Sequence, residues 1–163
     1  MTKKARPPTA EGLELFLDYW LYGVLETARE FGNASVFLRQ IQQKSLQAFR
    51  AEVPQTELSK DPVAACIAYT TMLDDLGVYD AKDATFRANG DGVTGKIGES
   101  CLYRRTCTRV HAQGKPVVCF RATALAQVLR GSTGHDYDPE LREFGVPCEV
   151  TLKRVPLEDV DAD

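Results

Sequence analysis

Apolar residues recur at helical spacing through the first half of the chain and at alternating spacing just beyond it. From Gly12 to Phe31, Leu13, Phe16, Leu17, Trp20, Leu21, Val24 and Leu25 share one helical face. Leu15, Tyr19 and Tyr22 widen that face past the usual stripe. So apolar a helix is expected at the centre of the core or in a subunit interface, and the two are compatible. Gly32 ends it, and Asn33 caps a second helix over 34–51. There Phe37, Leu38, Ile41, Leu46 and Phe49 face inward, while Arg39, Gln42, Gln43, Lys44 and Gln47 face out. The Gly-Asn link predicts an αα-hairpin, and 53–60 is a polar loop. Asp61-Pro62 places a capping carboxylate before a proline at the first helical position. The third helix then runs to Leu76, with Val63, Ile67, Thr70, Leu73 and Leu76 buried and Gly77 as its stop. Cys66, inside it, is expected to be a small buried hydrophobe.

The period then changes to two. Ala84–Ala88 and Val93–Ile97 alternate around Asn89-Gly90-Asp91-Gly92, which predicts a β-hairpin. Ser100 is suited to cap a short helix through Val110, and Gln113 to Pro116 is a turn. Phe120 to Arg130 is an amphipathic helix with Leu125, Val128 and Leu129 inward and Gly131 as its cap. A polar loop holds His135, Asp136, Tyr137, Asp138 and Pro139, and Cys148–Lys153 alternates as a closing strand. The expected fold is α+β: N-terminal helices packed on a small antiparallel β-sheet, with two further helices inserted between strands. A loose arm over 1–11, one domain over 12–155 and an acidic tail over 156–163 complete the plan.

Composition narrows the function. The 163 residues suffice for one domain with its own core. Net charge is −3, and the one basic cluster, Arg104, Arg105 and Arg109, is too small for a nucleic-acid footprint. No run of about 18 apolar residues exists to span a membrane. The basic start MTKKARPP leads into no signal-peptide apolar region, so a cytoplasmic location is expected. Five cysteines, an odd number, are then expected as reduced thiols that are buried or bind metal rather than form disulfides.

Four of those cysteines, Cys101, Cys107, Cys119 and Cys148, follow the spacing C-x5-C-x11-C-x28-C. This matches neither zinc-finger nor ferredoxin spacing. The segments CxYRxxC, PVxCFRxxALAxVL and FGxPCxVTL, spread over residues 60 to 155, resemble the C-terminal core of the 4-vinyl-reductase domain. That family comprises small-molecule and hydrocarbon-binding modules with a fold related to the TRAPP trafficking subunits. The resemblance implies an internal pocket between helices and sheet for a small apolar ligand. It also implies, by analogy with zinc-holding sensor domains, that Cys119 and Cys148 stand at metal-ligand positions. The family's acidic-x-x-Cys segment has no cysteine here; Tyr137, Glu140 and Glu143 occupy its neighbourhood. Cys101 and Cys107 are the candidates for the missing thiolates, and zinc is the expected metal. On one regular helix those two would lie about 120° apart, so one must sit at a helix end or in a loop.

The remaining candidates are weaker. His111 and His135 sit in polar surroundings, with His111 an alternative ligand. Asp136 and Asp138 beside His135 have no accompanying nucleophile, and the glycines around Asp91 and Lys96 lack a dinucleotide-binding strand–helix context. The expected function is a sensor or carrier of an apolar ligand, acting as a homodimer or through a regulatory protein partner. A tetrapyrrole-related enzyme, as the family's name suggests, and a cysteine-based metal or redox sensor are the alternatives.

Overall fold

Asp61 starts a helix by the chemistry its sequence announces: its carboxylate accepts the Ala64 N–H at 2.7 Å, just ahead of Pro62. The computed structural model describes residues 10–52 and 59–156, excluding the side chains of 49–52. The expected arm, the loop after Val53, the acidic tail and the inward placement of Phe49 fall wholly or largely outside them. Within them the order is α1 (Ala10–Glu30), α2 (Ala34–Glu52), α3 (Pro62–Asp75), β1 (Ala84–Asn89), β2 (Gly92–Ile97), α4 (Arg104–Ala112), α5 (Phe120–Thr133), β3 (Tyr137–Glu143) and β4 (Cys148–Arg154). The fold is α+β, and its antiparallel sheet has the order β1-β2-β4-β3.

Helix α5 is the centre of the molecule. Every residue from Phe120 to Leu129 is buried, so it is covered all round rather than amphipathic. α3 and α5 lie on the sheet, whereas α2 packs on α5 and α1 packs on α2 and α4. Of the three N-terminal helices, therefore, only α3 makes extensive contact with the sheet. The main core joins Tyr69, Leu73, Val93, Ile97, Leu125, Leu129, Val150 and Leu152. A second cluster around Leu21, Leu25, Leu38, Val110 and Phe120 fastens the α1–α2 pair. Burying each such aliphatic side chain contributes about 1.5–3 kcal/mol.

Several boundaries differ from expectation. Ser100 caps no helix: its hydroxyl accepts the Asp80 N–H and its own N–H goes to Asp83, while α4 begins at Arg104. Gly131 lies within α5, and Gly134, at φ 78°, takes the left-handed capping position instead. The loop expected near Asp138 is β3, an edge strand where Pro139 and charged residues are tolerated. On α1 the buried stripe is Asp18, Leu21, Leu25 and Ala28, and Leu13, Phe16, Tyr19 and Trp20 are exposed. On α3, Ile67 and Leu76 are exposed, and Ala65, Cys66, Tyr69, Thr70 and Leu73 form the inner face.

Candidate functional site

The four cysteines stand at element ends or one turn inside them. Cys101 follows β2 in a half-buried turn, Cys107 lies buried on α4, Cys119 caps α5, and Cys148 opens β4. The Cys119 sulfur accepts the Ala122 N–H at 3.4 Å, standing where a serine or aspartate usually caps. Because Cys101 precedes α4, the expected helical offset from Cys107 does not arise. Burial raises the pKa of Cys107, and negative charge at Cys119, Cys101 or Cys148 would raise it further. Cys119 is pushed up to about 12, chiefly by desolvation. Cys66 is fully buried on α3, away from this group of interactions, and burial pushes it up to about 12 as well.

Among the described residues, no group of three or more His, Cys, Asp and Glu side chains has the arrangement of a metal site. The acidic and imidazole candidates are otherwise engaged. Glu140 pairs with Lys153 at 3.0 Å and Arg142 at 2.7 Å, Glu143 is exposed on β3, and His111 packs on Phe144 with ring centres 4.6 Å apart. His135 lies against Arg154 at 2.9 Å.

Two arginines border the thiols, and neither was singled out by the sequence as a site residue. Arg104 donates to Gly98 O at 2.7 Å, to Ile97 O at 3.2 Å, to Gly145 O and to the Cys148 sulfur at 3.1 Å. It thereby ties the end of β2 to the turn that starts β4. Arg121 is only 2% exposed. Its guanidinium lies over three rings, 5.0 Å from the centre of Tyr79, 5.2 Å from Tyr103 and 5.9 Å from Tyr69. Its neighbours include the Cys101 thiol, and it reaches the Tyr69 hydroxyl at 3.5 Å. A readable signal existed: Arg121 is the one charged residue between Phe120 and Leu129, beside the apolar Phe120, Ala122, Ala124 and Leu125.

A third charged group anchors α1. Asp18 is buried, accepts the Thr106 hydroxyl at 2.7 Å and pairs with Arg109 at 2.6 Å. Beside it a cleft of about 900 Å³ runs between α1 and the segments 77–80 and 99–105. Leu13, Leu17, Val78 and Leu102 line its apolar walls, and Tyr79, Cys101 and Arg104 line its polar part. Glu14, Asp74, Asp80 and Glu99 form an exposed acidic rim. An apolar body with a polar end fits this distribution. Comparison with known proteins finds no matching family model, no matching curated protein and no matching solved structure.

Proposed function

We propose that this chain is a small-molecule-binding sensor or carrier domain whose ligand has an apolar body. The supporting observation is the α1-side cleft, lined by Leu13, Leu17, Val78 and Leu102 together with Tyr79, Cys101 and Arg104. The motifs that resemble the 4-vinyl-reductase domain favour the same reading, and with it a TRAPP-like fold. Native mass spectrometry of the purified protein, combined with elemental analysis, tests it. A retained organic mass that is lost when the cleft is blocked is the expected result.

A second reading has its own observation. Arg104 donating to the Cys148 sulfur at 3.1 Å suits a thiol-based metal or redox sensor. Bound zinc in the elemental analysis would favour it; if zinc were held, Cys101, Cys107, Cys119 and Cys148 would supply the ligands. Absence of metal, together with unchanged stability in Cys119→Ser, would rule against it.

The homodimer belongs to the proposal too. Phe16, Tyr19 and Trp20 are exposed on α1, and Tyr19 and Trp20 line a groove of about 560 Å³ together with Gly23, Phe37 and Ile41. In a two-fold pair each copy presents the same apolar patch to the other, as a self-complementary interface requires.

A further inference from the structure

The ligand reading leaves Arg121 unexplained. A guanidinium removed from water needs an anion or a full set of acceptors. Arg121 has a thiol, a long contact to one phenol oxygen and three ring faces, and its Nε has no hydrogen-bond partner. Among the described residues no carboxylate forms an ion pair with it. Arg104 spends its two terminal nitrogens on three carbonyls and a sulfur, leaving only its Nε without a partner, and Arg105, also on the cleft, pairs with Asp18 at 3.6 Å. Tyr79 and Cys101 each border the cleft and also contact Arg121. The Tyr79 hydroxyl is buried without a well-formed hydrogen bond.

We propose that Arg121 anchors the carboxylate of an apolar acid whose tail occupies the cleft, with the Tyr69 and Tyr79 hydroxyls as supporting donors. This rests on the cleft being the binding site and adds the ligand's chemical class. The carboxylate enters beside Cys101 and replaces a weak sulfur contact with two charged oxygens matched to the guanidinium fork. The cleft carboxylates Glu14, Asp18, Asp74, Asp80 and Glu99, against Arg104 and Arg105, oppose a phosphate dianion about twice as strongly as a carboxylate, so a single negative charge fits better. Leu13, Leu17, Val78 and Leu102 then cover the tail.

Calorimetric titration of the full chain with octanoate, octanol and octylammonium separates the head from the tail. Octanoate should bind at least tenfold more tightly than octanol. Arg121→Met should abolish that preference and leave octanol affinity unchanged, and Tyr79→Phe should reduce it. Should Arg121→Met fail to fold, Arg121→Lys carries the comparison: it keeps the charge but loses the fork, so most of the preference should go. Equal binding of octanoate and octanol, tighter binding of octylammonium, or a preference that survives these Arg121 changes overturns the carboxylate assignment while leaving a ligand-binding cleft intact. If none of the three binds, the cleft reading falls and this inference falls with it.

Discussion

Arg104 and Cys148 meet at 3.1 Å, nitrogen to sulfur, and the same guanidinium holds the carbonyls of Ile97, Gly98 and Gly145. One side chain on α4 thus fixes where β2 ends and β4 begins. Arg104→Met should leave those carbonyls without their donor and cost about 1–3 kcal/mol. Urea denaturation measures this. A variant within experimental error of the wild type would mean that water serves those carbonyls equally well.

Acid should unfold the protein through specific carboxylates. Hydrogen bonding to Lys115 lowers the Glu26 pKa, that to the Ser100 backbone lowers Asp83, and that to Lys153 lowers Glu140. A lowered folded pKa gives stability that is full above the unfolded carboxylate values and disappears as pH falls through the folded ones. The melting temperature should therefore drop as pH falls below about 4.5, around the unfolded carboxylate range. Lys115→Met should lower the melting temperature at pH 7 and matter less at pH 3. Equal effects at both values would show that Lys115 acts by packing, not charge.

Thiol labelling should be selective. Cys101 is half-buried on the cleft wall, whereas Cys66 and Cys107 are buried and burial raises both their pKa values. Iodoacetamide at pH 8 should modify Cys101 first, and a cleft ligand should slow it. Peptide mapping that finds Cys66 or Cys107 modified earliest would contradict the burial described.

Self-association should depend on the outer face of α1. Sedimentation at micromolar concentration should give a dimer, and Trp20→Asp, at a site 53% exposed, should give a folded monomer. Leu21→Asp is the wrong probe, because Leu21 is buried against Leu25 and Leu38 and its loss would unfold the second core. A monomeric wild type would leave the exposed rings of α1 to some other partner.

Much of this was legible in residue order. Asp61-Pro62, the Asn89–Gly92 turn and the β1–β2 alternation act locally, and each forms where its chemistry places it. The failures came from tertiary context. β3 looked like a loop because Asp136, Asp138 and Pro139 suit turns, and only its edge position lets them form a strand. α5 looked amphipathic because Arg121, Thr123 and Gln127 interrupt its apolar run, yet all three are buried. The cysteine positions were legible at element ends; of the arginines beside them, Arg121 left a signal as a charge inside an apolar run, whereas Arg104 left none. Arg104 stood in a basic cluster weighed only as a nucleic-acid footprint, and the role of Arg121 needed three tyrosines from distant segments to become visible.

The most direct test of ligand binding in the α1-side cleft is thermal unfolding of wild-type and Leu102→Glu protein with octanoate, octanol and a panel of aromatic compounds. Leu102 is 39% exposed on the cleft wall, so the substitution should charge the wall at little cost to folding. At about 100 times its dissociation constant, a cleft ligand should raise the wild-type melting temperature by about 5 °C or more and the variant's hardly at all. No shift with any compound, or an equal shift in both proteins, would contradict binding at this site.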